Sequence, residues 1–62
     1  MKSLVEYVNK SLNEVENNLK MNNTVYRVAS VDGEKRMLSA DYRDDRLNLE
    51  VENGVVVKVF VG

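Results

Sequence analysis

The sequence predicts a small α+β domain in which one N-terminal helix packs on a β-sheet. Apolar residues in the first third of the chain recur at helical spacing, whereas later segments alternate apolar and polar residues as strands do. An Asp-Gly and an Asn-Gly dipeptide lie among these later segments, as expected for tight hairpin turns. A chain of 62 residues has room for one core, so we expect a single domain over residues 1–62.

The helix is predicted at residues 3–20. Ser3 and Glu6 have the spacing of a capping box, and the asparagines that follow Met21 are typical of a helix end. In so small a domain, we expect the apolar face of the helix to pack on the protein's own sheet. That face consists of Leu4, Val8, Leu12, Val15 and Leu19.

Three strands are predicted from alternation and turn signals. A period of two begins at Val25 and predicts a first strand that ends at Val31. Residues 46–52 alternate in the same way, and Asn53-Gly54 then predicts a hairpin into a last strand over residues 55–61. Because this last strand is apolar on both faces, we expect it to be central in the sheet or covered on both faces.

Residues 32–45 have no clear period, and two interpretations compete for them. In the first, Asp32-Gly33 is a tight turn and residues 34–40 form a strand, which gives a helix followed by a four-stranded antiparallel meander. In the second, most of the segment is a long exposed loop. A loop of this length is uncommon in a small domain unless it has a function.

Charged residues are concentrated at the end of this segment. Arg43 and Arg46 follow Asp41 closely enough to fold back and hydrogen-bond its carboxylate, a task that suits the arginine fork. A solvated ion-pair cluster that includes Asp44 and Asp45 is the alternative. The three acidic residues lack the ligand spacing and central glycine of a calcium loop, so we expect no metal site.

Composition excludes several classes of function. The chain has no His and no Cys, which excludes catalytic triads and zinc centres of the usual kinds, and we expect no enzyme activity and no cofactor. A net charge of −1 without a basic tail argues against a nucleic-acid partner. The absence of a membrane-spanning or signal-peptide pattern predicts a cytoplasmic protein that does not bind membranes. We therefore expect a protein partner, while the oligomeric state is not predicted.

Residues 38–49 carry a resemblance to a known family. They read Leu-Ser-Ala-Asp-Tyr-Arg-Asp-Asp-Arg-Leu-Asn-Leu, and a hairpin turn and a valine-rich strand ending in Val61-Gly62 follow them. This pattern resembles the potato inhibitor I family of serine protease inhibitors, and its Asp-Tyr-Arg-x-x-Arg-Leu-Asn core is most similar to the family's small bacterial members. The resemblance covers residues 38–62 by motif and the rest by element order. It implies a helix on a small three-stranded mixed sheet, with an exposed loop between the first two strands.

The resemblance also implies a mechanism, in which the loop enters a serine protease as a substrate does and is hydrolysed very slowly. The scissile bond in this register is Ala40–Asp41, and the small Ala40 side chain suits subtilisin-like or elastase-like proteases. Because the segment upstream of Ala40 is longer than the family's, Arg36, Met37 or Leu38 is an alternative recognised residue. The implied protease-binding loop comprises Met37, Leu38, Ser39, Ala40, Asp41, Tyr42 and Arg43.

Three further residues are implied to support the loop, namely Arg46, Asn48 and Gly62. Arg46 is expected to hydrogen-bond Asp41 or loop carbonyl groups from beneath, and the carboxylate of Gly62 is expected to orient its guanidinium group. Plant and leech members of the family have a second arginine at the position of Asn48, whereas the bacterial relatives usually have asparagine there, as this chain does.

A second hypothesis comes from a different class of protein. The chain is then a non-enzymatic interaction module that binds and regulates another protein through its 32–45 hairpin or its sheet edge. The loop motif favours the inhibitor, whereas the absence of a secretion signal favours the interaction module, since most proteases of matching specificity act outside the cytoplasm.

Overall fold

The computed structural model describes residues 4–36 and 42–62. These residues form one helix packed on a mixed sheet, which confirms the predicted α+β class. The strand order is β2-β1-β3-β4, in which β1 runs parallel to β3 and the other neighbouring strands are antiparallel. In chain order the elements are a 3-10 turn at Leu4–Tyr7, α1 at Leu12–Met21, β1 at Val25–Val31, β2 at Glu34–Lys35, β3 at Arg46–Glu52 and β4 at Val55–Val61.

The described sheet has one strand more than the three predicted. β2 contains only Glu34 and Lys35, and it pairs with the end of β1 after a turn at Asp32 and Gly33. Both turn residues have positive φ, 50° and 82°, as the tight turn of a β-hairpin requires. The alternative meander has the right number of strands but the wrong pairing, because β1 is parallel to β3.

The helix predicted at residues 3–20 is interrupted at Asn9, whose φ is 71°. The 3-10 turn precedes this residue and α1 follows it. The intervening backbone pairs with β4, since Asn9 N–H donates to Val56 O and Val56 N–H donates to Lys10 O, each at 2.8 Å. Both parts contribute side chains to the same core.

The N-terminus of α1 is capped by Ser11. Its hydroxyl oxygen accepts a hydrogen bond from Glu14 N–H at 3.2 Å. This cap has the Ser-x-x-Glu spacing that the sequence analysis assigned to Ser3 and Glu6. Ser3 lies outside the described residues, and the helix of the structure starts at the later of the two Ser-x-x-Glu spacings.

The C-terminus of α1 ends where the asparagines predict. Asn23 has a φ of 53°, in the left-handed region that terminates helices. Thr24 N–H donates to Leu19 O at 2.9 Å, and Asn23 N–H donates to Lys20 O at 3.2 Å. This pair of bonds is a Schellman motif, which satisfies the last carbonyl groups and turns the chain into β1.

The core lies between α1, the 3-10 turn and one face of the sheet. Leu19, Leu49 and Val56 are fully buried there. Residues of both helical segments and of β3 complete the core, namely Tyr7, Val15, Leu47 and Val51. Most of the apolar face predicted for the N-terminal segment therefore packs on the protein's own sheet, but Tyr7 is in the core instead of the predicted Val8, because the segment is not one continuous helix.

The last strand has the predicted bounds, but it is neither central in the described sheet nor covered on both faces. β4 lies at the edge of the described sheet and has β3 as its one strand neighbour there. Val56 is fully buried, whereas the side chains of Val57 and Val61 are 38% and 37% exposed. On the edge of β4 away from β3, the backbone of residues 9–12 pairs with the start of the strand only.

Candidate functional site

The predicted protease-binding loop lies only partly within the described residues. Arg36 leads into it and Tyr42 leads out of it, and both are exposed, Tyr42 by 73%. Outside the described ranges lie Met37, Leu38, Ser39, Ala40 and Asp41, and with them the predicted scissile bond.

Both described flanks of this loop are anchored to the sheet. On the entering side, Arg36 N–H donates to Ala29 O of β1 at 3.0 Å. On the leaving side, residues 44–45 form a turn, and Arg46 then begins β3 in register with Val25 of β1. The loop thus connects two strands that β1 separates in the sheet.

A cluster of hydrogen bonds lies on the sheet face opposite α1, near the leaving flank. Arg46 Nε donates to the main-chain oxygen of Gly62 at 2.9 Å. Asn48 Nδ2 donates to the same oxygen at 3.1 Å and to Phe60 O at 3.3 Å. Arg27 Nε donates to Asn48 Oδ1. We call Arg27, Arg46, Asn48 and Gly62 the polar cluster.

Strand register brings these residues together. Arg27 lies opposite Asn48 in the parallel β1–β3 pair, and Asn48 lies opposite Phe60 in the antiparallel β3–β4 pair. Because side chains alternate between faces along a strand, these residues share the face that Leu47 and Leu49 do not use. The buried apolar residues of β3 face α1, and the polar residues between them form the cluster.

The cluster is buried to an extent unusual for polar side chains. Asn48 has no exposed surface, and Arg46 is only 9% exposed. Burial of an amide or a guanidinium group costs free energy unless its polar atoms are hydrogen-bonded. Among the described residues, every buried side-chain nitrogen and oxygen has a hydrogen-bond partner. The arrangement is therefore a satisfied network and not a chance contact.

Within the cluster, Gly62 lies close to both the Asn48 side chain and the loop flank. Its N–H donates to Arg46 O at 3.0 Å, which continues the β3–β4 pairing past β4. A Cβ atom at this position would lie 3.2 Å from Asn48 Nδ2 and 3.9 Å from two carbon atoms of the Tyr42 ring. Asn48 and the Tyr42 ring, at the loop flank, therefore both lie close to Gly62.

Three of the cluster's four members are the residues that the sequence analysis named as loop supports. Arg46, Asn48 and Gly62 lie together, although support of a loop stays a prediction. Sequence reasoning missed Arg27. Its alternation with the apolar residues of β1 indicated its face, but only the register of β1 against β3 places it beside Asn48.

Arg43 belongs to a separate ion pair. Its Nε and Nη2 donate to the two carboxylate oxygens of Asp45 at 3.0 and 2.9 Å. The two side chains are 46% and 58% exposed, as the solvated-cluster interpretation predicts for this pair. The hydrogen bond from Arg43 holds the pKa of the Asp45 carboxyl below its ordinary value. Asp41, the other predicted partner, lies outside the described residues.

An apolar cleft lies on the opposite side of the sheet. It has a volume of about 300 Å³, and it is lined mainly by apolar side chains that include Leu4, Tyr7 and Leu47. Within residues 4–36 and 42–62, no group of three or more potential ligands is placed to hold a metal ion. Asp44 and Asp45 at the leaving flank of the loop also line this cleft, but the polar cluster contains the residues that were predicted to support the loop.

Fold and site together define a small, cysteine-free α+β protein with a polar cluster, in which Arg46 and Asn48 are buried, near the exposed residue Tyr42. Comparison of the chain with protein-family models finds no match, and comparison with curated proteins finds none either. In the part of the chain that the structure describes, no helix has the length and apolar character to cross a membrane.

Proposed function

We propose that this protein is a serine protease inhibitor of the potato inhibitor I type, which presents residues 37–43 to a protease as a substrate-like loop. The polar cluster is the observation that supports this function. It lies where the loop rejoins the sheet, with the Tyr42 ring close to Gly62. A buried arginine and a buried asparagine are costly in a small domain, and a loop that must be held rigid gives them a purpose.

A rigid loop is what such inhibition requires. If the loop is already held in its bound shape, little conformational entropy is lost on binding. If both ends stay in place after cleavage, the new amine remains near the acyl-enzyme and the peptide bond can re-form. The described flanks meet this second condition, because Arg36 is bonded to β1 and Arg46 is held at the start of β3.

The proposed partner is a subtilisin-like or elastase-like protease. Its primary specificity pocket would take the Ala40 side chain, and the bond presented would be Ala40–Asp41. Presentation of Met37 or Leu38 would instead direct the loop to chymotrypsin-like proteases, and presentation of Arg36 to trypsin-like ones. The bond that is cleaved therefore identifies both the register and the protease class.

The decisive experiment titrates the purified protein against subtilisin, an elastase, chymotrypsin and trypsin, and follows each mixture by mass spectrometry. We expect tight inhibition of subtilisin or the elastase, with slow and limited cleavage after Ala40. The complete chain, heated and unfolded in urea before dilution into protease, provides the control for substrate behaviour without a rigid loop. Rapid digestion of residues 33–43 in the folded protein, or inhibition of none of the four proteases, would contradict the proposal.

One observation favours the second candidate, a non-enzymatic interaction module. β2 pairs only with Ser30 and Val31, so among the described strands none pairs with the outer edge of β1 from Val25 to Val28. An exposed edge of this kind accepts an extended peptide as an added strand. Absence of protease inhibition would favour this candidate. A cytoplasmic location stays a prediction for either function, and fractionation of the source cells would test it.

A further inference from the structure

We propose that Arg27 of β1 is a positioning residue for the protease-binding loop, which it orients through Asn48 and Gly62. This inference rests on the proposed function and adds a residue that neither the loop motif nor the β3 sequence indicates. Arg27 lies on the strand next to β3, and its guanidinium contacts the one fully buried polar side chain of the cluster.

The Asn48 amide bonds to Arg27 through its oxygen and to two main-chain oxygens through its nitrogen. An asparagine amide has an oxygen that accepts and a nitrogen that donates. Arg27 donates to the oxygen, while the nitrogen donates to the main-chain oxygens of Gly62 and Phe60. A rotated amide would place its NH2 group against the Arg27 N–H and its oxygen against two other oxygens. Arg27 and the two main-chain oxygens therefore favour the same amide orientation, in which Asn48 binds Gly62.

Asn48 and Arg46 donate to the same acceptor, the main-chain oxygen of Gly62. The Gly62 oxygen accepts from Asn48 Nδ2 at 3.1 Å and from Arg46 Nε at 2.9 Å, which a carbonyl oxygen with two lone pairs can do. A change in the Asn48 amide thus changes the partner that anchors Arg46. Because Arg46 is the first residue of β3, directly after the turn at residues 44–45, its position sets the leaving flank of the loop.

These bonds form a continuous path across three strands, from Arg27 in β1 through Asn48 in β3 to Gly62 after β4 and back to Arg46. The bonds of this path are part-buried, and hydrogen bonds in such surroundings are stronger than in water. Loss of its first member should therefore loosen the loop without removing the strands that the loop connects.

The test compares Arg27→Met with Lys58→Met. Both variants replace one cation by the same apolar side chain, and Lys58 lies on the same sheet face but outside the cluster, with a side chain that is 64% exposed. We expect Arg27→Met to inhibit about tenfold more weakly and to be cleaved about tenfold faster, the effect of losing one hydrogen bond to a charged group. Lys58→Met should change neither quantity by more than about twofold.

Two further measurements separate positioning from a general loss of structure. Unfolding in urea gives the folded fraction of each variant, so that cleavage rates are compared for folded protein only. Hydrogen exchange of the Asn48 side-chain amide, followed by NMR, should be faster in Arg27→Met than in the wild type and unchanged in Lys58→Met. If Arg27→Met does not fold, Arg27→Lys keeps the charge and replaces the planar fork by one ammonium group, and it should be cleaved faster than the wild type.

Arg27 variants that inhibit as tightly and are cleaved as slowly as the wild type would overturn the inference. This result differs from failure of the proposed function, in which the wild-type chain itself inhibits none of the proteases. In that case both the proposed function and the role of Arg27 in positioning the loop are refuted.

Discussion

Asn48 is the residue on which the polar cluster depends. Its side chain is fully buried and bonds to Arg27, to Phe60 and to Gly62. No other side chain in the cluster has both a donor and an acceptor, so an asparagine here can receive from one strand and donate to another. This dual capacity explains why an amide, rather than a third cation, lies between two arginines.

Asn48→Ala should therefore destabilise the protein by about 2–3 kcal/mol, because it removes these bonds and leaves buried polar groups of its partners without them. Urea denaturation measures this change in the free energy of unfolding. The exposed helical residue Asn17 provides the matched control, since Asn17→Ala should change stability by no more than about 0.5 kcal/mol. Equal stabilities of the two variants would show that the cluster contributes nothing to folding.

Arg46→Ala should convert the protein from a slow to a rapid substrate, since it removes the bond that ties the leaving flank to Gly62. We expect cleavage of the folded variant to be faster by about tenfold or more, measured by mass spectrometry at equal protease concentration. Lys35→Ala removes an exposed cation from β2 and should leave the cleavage rate unchanged. An Arg46→Ala protein that is still cleaved as slowly as the wild type would refute the support role.

At the scale of the elements, the N-terminal segment shows how backbone pairing limits a helix. Periodic apolar residues predict which side faces the sheet, but they carry no information on whether the helix is continuous. Here the backbone of Asn9 and Lys10 bonds to Val56, and α1 begins two residues further along the chain, at Leu12. Ser11 is the N-cap that makes this later start possible.

Ser11→Ala should lower the free energy of unfolding by about 1 kcal/mol, the usual cost of losing an N-cap hydrogen bond. The backbone of residue 11 pairs with Val55 and is retained in the variant, so the change reports the side chain alone. Thermal or urea unfolding gives the value. Asn13→Ala, an exposed substitution in the first turn of α1, serves as the control and should not destabilise the protein. A Ser11→Ala variant as stable as the wild type would mean that the cap has no energetic role.

At the scale of the whole molecule, a side-chain hydrogen bond joins the helix to the sheet. Tyr26 of β1 donates its hydroxyl hydrogen to Glu16 Oε2 of α1 at 2.7 Å. This hydrogen bond raises the pKa of Tyr26 above its ordinary value, and burial and the negative charge of Glu16 act in the same direction. The folded state therefore holds the phenolic proton more tightly than the unfolded state does.

The consequence is a loss of stability at high pH. The contribution of the Tyr26 proton is fully present below the ordinary tyrosine pKa of about 10, and it is lost as the pH rises through the higher folded value. Urea unfolding from pH 8 to pH 11 should show this decline in the wild type, and Tyr26→Phe should show less of it. Tyr42→Phe, a change at an exposed ring, should decline as the wild type does. An equally steep decline in Tyr26→Phe would disprove the assignment.

Much of this fold follows from patterns between near neighbours in the chain. The bounds of β1 and β4, the end of α1 and the Asn53-Gly54 turn were predicted, because alternation and the left-handed preference of Gly and Asn act locally. The Asp32-Gly33 turn was one of the two interpretations of residues 32–45. The face of Arg46 and Asn48 followed from the same alternation. The resemblance singled out Arg46, Asn48 and Gly62 for one site, and the structure places them in contact, while the loop they are proposed to hold is still to be tested.

The remaining features depend on residues that are far apart in the chain. The parallel pairing of β1 with β3 places Arg27 beside Asn48, and the order of the strands leaves β4 at an edge despite its valines. No local pattern specifies either, because a strand of given alternation can pair with several partners in several registers. The interruption at Asn9 has the same origin, since the bonds that replace the helical ones come from β4. Local preference therefore accounts for the elements, and pairing between distant segments accounts for the site.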